Sequence, residues 1–231
     1  MFELLTMTKD ISVIIVAAGA SKRLKTKVHK PYLIVHGKPV LAHSIELFSK
    51  IADVKEIVIA IHKDDSRRIS RVVLYTRHGH TDIKIVVGGA TRAESVRNAL
   101  NSTAGATKII LVHDAARPFV KKEHVLDLIK QVRKSGAAIL ATPIKDTIKR
   151  TEKRKNKIVI KETVTPKHEL WAAQTPQGFK KDILLKAYSK LGKAALLVTD
   201  DASLMEQIKV PVSIVQGSED NIKITTKEDL G

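Results

Sequence analysis

An apolar, β-branched run at residues 13–16 ends abruptly in Ala17, Ala18, Gly19, Ala20 and Ser21. Small residues let backbone approach a ligand closely. Cations follow at once, with Lys22, Arg23, Lys25, Lys27 and Lys30 crowding the loop. Successive backbone N–H groups in such a loop cradle phosphate oxygens, and long cationic side chains neutralise them. Arg23 stands four residues after Gly19, and Lys30-Pro31 begins seven residues further on. That spacing has neither the Gly-Lys-Ser/Thr ending of a Walker loop nor the three spaced glycines of a dinucleotide fingerprint. What remains is the outline of a phosphate-binding loop, against the plainer reading of a strand, a turn and a solvated basic loop.

Two further stretches bear chemistry. Residues 111–119, Leu-Val-His-Asp-Ala-Ala-Arg-Pro-Phe, begin as an apolar strand and end on a charge. A carboxylate there suits Mg²⁺, a hard cation held through one or two carboxylates plus phosphate oxygens. Asp114 is therefore the expected metal ligand, with a structural salt bridge to Arg117 as the alternative. His113 is not expected to ligate, because Mg²⁺ prefers oxygen. Residues 88–96, Gly-Gly-Ala-Thr-Arg-Ala-Glu-Ser-Val, follow an apolar run and open a helix, which places Gly89 and Ser95 where a nucleobase edge meets backbone amides. Alone, that stretch also reads as an ordinary strand-to-helix turn.

These stretches need a scaffold, and the periodicity supplies one. Apolar runs at 56–61, 83–87, 108–113 and 137–142 read as strands, and helical spacing marks 40–50, the segment beginning at 64–71, 92–101 and 123–134. Strands alternating with amphipathic helices predict an α/β domain. Its sheet is mostly parallel and covered on both faces, with ligands at the carboxyl ends of the strands. The pattern then changes: β-prone pieces at 147–150 and 157–161 bracket a very basic turn and predict a hairpin arm. From residue types alone the arm is either a surface loop or a dimerisation element. Helices are expected at 183–191 and 202–208, and late strands at 212–215 and 222–225.

Composition narrows the classes. A chain of 231 residues with 43% hydrophobic residues suits one α/β domain spanning 1–231. No apolar run approaches bilayer-spanning length, and the first ten residues lack a secretory pattern. The absence of cysteine rules out disulfides and thiolate chemistry, in keeping with a cytoplasmic protein. A formal charge of +17 attracts anions of every kind, yet only 3% of residues are aromatic, leaving little to stack on bases. Specific nucleic-acid binding is the remoter reading.

The segments AAGASKRL, KPYL, GGATRAESV, LVHDAARPF, PIKDTIK, LWAAQTPQGF, TDDASL and DNIKIT span nearly the whole chain. In order and spacing the sequence resembles the 2-C-methyl-D-erythritol 4-phosphate cytidylyltransferases. The resemblance implies a Rossmann-like fold of nucleotidyltransferase type with a mixed sheet and a projecting β-arm at about residues 146–170. It implies an Mg²⁺-dependent homodimer, joined through the arm, that transfers CMP from CTP to methylerythritol phosphate and releases pyrophosphate. By the same likeness Ala17, Ala18, Gly19 and Ala115 meet the nucleotide, and Gly89, Ala90 and Ser95 recognise cytosine. Arg23, Lys30 and Lys223 hold the phosphates, and Asp114 carries the metal with Asp220 as a weaker second ligand. Thr147, Lys167, Arg117, Thr175 and Thr199 would form the acceptor site, with Thr147 and Lys167 reaching the partner subunit's substrate. Three positions depart from the commonest pattern: Ser21 for a second glycine, Ala90 for an acidic residue and Lys167 for arginine, which lacks arginine's two-pronged grip on phosphate. The family pattern also implies a closing helix after residues 227–230, where this sequence ends at Gly231. The nearest rival is a ribitol-5-phosphate cytidylyltransferase.

Overall fold

The computed structural model describes residues 9–19, 28–165, 167–226 and 228–230. In chain order, β1 (Ile11–Ala17) is followed by a tiny hairpin of β2 (Ile34–Val35) and β3 (Lys38–Pro39), then α1 (Val40–Ser49). Next come β4 (Val54–Ile61), α2 (Ser66–Tyr75), β5 (Asp82–Val87), α3 (Arg92–Asn101), β6 (Ile109–Asp114), α4 (Lys122–Ser135) and β7 (Ala137–Pro143). The hairpin of β8 (Lys149–Arg154) and β9 (Lys157–Thr163) precedes β10 (Trp171–Lys180), α5 (Lys181–Leu191), α6 (Ala202–Gln207) and β11 (Ser213–Gln216).

Seven strands form one sheet in the order β11-β7-β10-β6-β1-β4-β5. All neighbours pair in parallel except β10, which runs antiparallel to both β6 and β7. Strands buried on both faces read as continuous apolar runs, and β1 does so because alternate residues feed two cores. Val13 and Ile15 pack with Leu41, Ile45 and Phe48 of α1 and with Leu128 and Val132 of α4. Ile14 faces the other way, toward Val96 of α3, Leu184 of α5 and Leu204 of α6.

The expected alternation holds, and three expectations need correction. Residues 222–225 form no strand: Ile224 is buried and makes a single backbone bond to the Ala116 carbonyl at 2.8 Å, so the segment is a strap and not a ladder. The first arm strand lies at Lys149–Arg154, which leaves Thr147 in the exposed loop before it. The Gln-, Pro- and Gly-containing segment at Trp171–Lys180, for which no strand was expected, is the longest strand of the fold. Its pairing with β7 shifts register between Ala173 and Gln177, which accommodates Pro176, a residue with no N–H to give.

Candidate nucleotide site

The carboxyl ends of β1, β4 and β6 and the turn after β5 surround a cavity of about 510 Å³. Ala17, Ala18 and Gly19 form one wall, Gly89, Ala90, Arg92 and Ser95 another, and Asp114, Ala115 and Ala116 a third. Lys30 and Lys223 reach it from outside the sheet. Two walls meet at Gly88, whose N–H donates to the Ile61 carbonyl at 2.8 Å. A Cβ on Gly88 would stand 2.4 Å from Ala18 Cβ and 2.8 Å from Ser95 Oγ, so only glycine lets the loops touch.

The turn into α3 is stitched by its own side chains. Thr91 caps the helix by accepting from Glu94 N–H at 3.1 Å, and Glu94 Oε2 accepts in return from Ala90 N–H at 2.8 Å. Ser95 Oγ accepts from Gly89 N–H at 3.0 Å and donates to the Thr91 carbonyl at 2.9 Å. The amides of Gly89 and Ala90 are thus already engaged, so a ligand reads this wall through its carbonyls or displaces the Glu94 carboxylate.

Asp114 is the charge centre. Its Oδ1 accepts from Arg92 Nε at 3.0 Å and its Oδ2 from Lys223 Nζ at 2.6 Å. Burial opposes its charge, but the Arg92 guanidinium and Lys223 ammonium more than offset this and hold the carboxyl well below the usual carboxylate range. Arg92 Nη1 also donates to Asp201 Oδ2 at 2.7 Å. Burial pushes the Asp201 carboxyl up against the pull of Arg92. Asp201 Oδ1 and Arg92 Nη2 are buried without hydrogen-bond partners among the described residues.

A second set of bonds fixes the backbone of Asp114. His113 Nε2 lies 3.1 Å from the Arg117 carbonyl, which only accepts, so that nitrogen carries the ring proton. Nδ1 is then left to accept from the Thr175 hydroxyl at 3.2 Å, while Thr175 Oγ1 accepts from Asp114 N–H at 3.0 Å. Burial, the largest influence, pushes the His113 imidazole down to about 4.

The sequence profile of the family described as 2-C-methyl-D-erythritol 4-phosphate cytidylyltransferase matches residues 11–231. The protein of that name from Desulforamulus reducens is 37% identical over 222 residues, covering 96% of this chain and 93% of the relative. The chain belongs to this family. Its namesake from Bacillus velezensis is 40% identical over 219 residues, 94% of this chain and 91% of the relative. Among solved structures, 4-diphosphocytidyl-2C-methyl-D-erythritol synthase from Anaerococcus prevotii superposes with a TM-score of 0.82 at 33% identity, over 95% of this chain and 92% of that one.

Within this cytidylyltransferase scaffold, the expected site residues separate clearly. Ala17, Ala18, Gly19, Lys30, Gly89, Ala90, Ser95, Asp114, Ala115 and Lys223 share the cavity, whereas Arg23 lies outside the described residues. Thr175 stands behind Asp114, bonded to its N–H and to His113, and is not among the residues lining the cavity. Arg117 is no ion-pair partner of Asp114: its Nη1 and Nη2 donate to the carbonyls of Asn221 at 2.6 Å and Ala173 at 3.4 Å. Asp220 is exposed and paired with Lys121 at 2.8 Å, away from the cavity lining. Thr147 and Thr199 are exposed, and Lys167 opens a one-turn 3-10 helix, Lys167–Glu169. Sequence reasoning missed Arg92, Asp201, Gly88 and His62, another cavity-lining residue. Arg92 and Asp201 sit inside quoted motifs, and the available signal was that an arginine opening a core helix needs a carboxylate partner.

Proposed function

We propose that this chain transfers the cytidylyl group of CTP to the phosphate of 2-C-methyl-D-erythritol 4-phosphate, releasing pyrophosphate, in non-mevalonate isoprenoid precursor synthesis. The observation that supports this most directly is the ionised Asp114, clamped between Arg92 and Lys223 in the wall of a cavity also lined by Ala17, Ala18 and Gly19. A phosphate monoester has a second pKa of about 6, so the attacking oxygen is already anionic and needs no general base. The difficulty is bringing two anions together, which fixed cations relieve.

The donor set suits Mg²⁺. Asp114 is the carboxylate lining the cavity among the described residues, and its Oδ2 partner, the half-exposed Lys223, is free to move to phosphate. Asp114 would hold Mg²⁺ there, and the ion would supply neutralisation of triphosphate charge and polarisation of the α-phosphorus. Arg92 keeps Oδ1 in place and Thr175 fixes the backbone, while Lys30 and Lys223 meet phosphate oxygens. Removing one such cation costs roughly 2.7–4 kcal/mol in the barrier, by analogy with oxyanion donors. Arg23 and the backbone of residues 17–19 are assigned to the triphosphate, and the Gly89 wall to cytosine. The acceptor is assigned to Thr199 with Thr147 and Lys167 from a partner subunit, in a cytoplasmic homodimer whose exposed Ile158 and Ile160 on the arm supply apolar contact.

The test is pyrophosphate release by the purified chain with Mg²⁺ and CTP, given methylerythritol phosphate or ribitol 5-phosphate. Release only with methylerythritol phosphate is expected. Release with ribitol 5-phosphate instead would keep the nucleotide site and overturn the acceptor.

A further inference from the structure

At the edge of the cavity, three groups to which the CMP-transfer reading assigns no role converge from separate segments. His29 precedes the 3-10 turn Lys30–Tyr32, His62 follows β4, and Asp65 ends the 3-10 turn Lys63–Asp65 before α2. Each offers one ligand atom, and the three atoms lie within 4.8 Å of one another. Asp65 is fully buried, its Oδ2 standing 2.5 Å from His29 Nδ1 and its Oδ1 accepting from Arg68 at 2.8 Å. The two imidazoles meet edge to face with centroids 4.9 Å apart.

We propose that His29, His62 and Asp65 form a second divalent-cation site, one that takes an imidazole-preferring ion such as Zn²⁺ in preference to Mg²⁺. Two imidazoles and one carboxylate are the ligands of Zn²⁺, Co²⁺ or Ni²⁺, whereas Mg²⁺ demands oxygens and keeps its waters. A tetrahedral ion with bonds of about 2.0–2.1 Å sets its ligands roughly 3.3 Å apart. His62 must close in, and the His29–Asp65 pair must open by about 1 Å, both within reach of side-chain rotation. Arg68 on Oδ1 orients the carboxylate so that Oδ2 faces His29, as partners of metal ligands do. Among the described residues, the charged groups in contact with these ligands are Arg68, on Asp65 Oδ1, and Asp64, whose Oδ2 is 3.4 Å from His62 Nδ1.

The site has a consequence for the cavity. His62 lines it, and His29 is bonded in sequence to Lys30, which lines it too. An ion here ties the Lys30 segment to the end of β4 and leaves a fourth coordination position for water or a phosphate oxygen.

The proposal stands apart from the CMP-transfer reading, because its test reads the ion itself. The full-length protein is titrated with Co²⁺ in excess Mg²⁺ and its visible spectrum followed. We expect the intense bands of four-coordinate Co²⁺ at one ion per chain, bleached by Zn²⁺, and at least tenfold weaker binding in both His62→Ala and His29→Gln. His29→Gln retains a hydrogen-bonding group toward Asp65, so it reports on ligation with the local fold preserved. A pale six-coordinate spectrum for the wild-type protein, or four-coordinate bands unchanged in both variants, would overturn the proposal.

Discussion

Asp114 is held from two sides, and each side makes its own prediction. Behind it, His113 is neutral in the folded protein down to about pH 4 but takes a proton near 6.5 once unfolded. The unfolded chain therefore binds more protons between those values, so stability falls as pH drops from about 6.5 toward 4, by about 3 kcal/mol in all. In urea unfolding across that range, His113→Gln should remove close to one proton from the slope, and an unchanged slope would contradict the buried neutral ring. In front, Gly88→Ala forces the Ala18 and Gly89 loops apart. We expect weaker CTP binding by roughly tenfold, with far-UV circular dichroism unchanged. Asp114 was legible in the sequence because an apolar strand ending in a carboxylate needs no partner to be noticed. Its frame was not: Arg92 is 22 residues from Asp114 and 109 from Asp201, and nothing local says which charges will meet.

The alternating elements were legible wherever burial follows one period. Both faces of β1, β4 and β6 are covered, so their apolar runs stand out between helices with one apolar side. Strand β10 was hidden because Pro176 and Gly178 are strand breakers and Gln174, Thr175 and Gln177 interrupt any apolar run. Tertiary contacts override that preference. Gln177 is buried and spends its amide on Asp200 Oδ2 and on the N–H groups of Asp201 and Ala202, which fixes the start of α6. Asn221 donates to Gln174 Oε1 and to the Thr175 carbonyl, which carries the strap with Lys223 to the cavity. Gly178 is the close-packed point, because a Cβ there would lie 2.6 Å from Val132 Cγ2 and 3.0 Å from Leu111 Cδ2. Gly178→Ala should lower unfolding free energy by about 1–3 kcal/mol, as overpacking does. Full stability in the variant would mean that α4 does not press on β10 as described.

For the whole chain, the +17 charge and the arm have to be explained together. Among the described residues the hairpin of β8 and β9 pairs with no other strand, and it presents Ile158 at 78% and Ile160 at 64% exposure among basic residues. Apolar groups left so open on a strongly cationic arm favour a second copy over a lone chain. Light scattering should therefore give twice the 25.5 kDa chain mass, returning to one chain mass in Ile158→Lys/Ile160→Lys. A monomer at micromolar concentration would remove the roles given to Thr147 and Lys167 across subunits. Among the described residues no helix is long and apolar enough to cross a membrane. The central claim is that the clamped Asp114 carboxylate organises the reacting phosphates, and it is tested most directly by pyrophosphate release under single-turnover conditions from Asp114→Asn beside the wild type, both saturated with CTP and methylerythritol phosphate. A loss of roughly 10²–10³-fold in rate with the fold retained is the predicted result, and a rate within about twofold of wild type would contradict it.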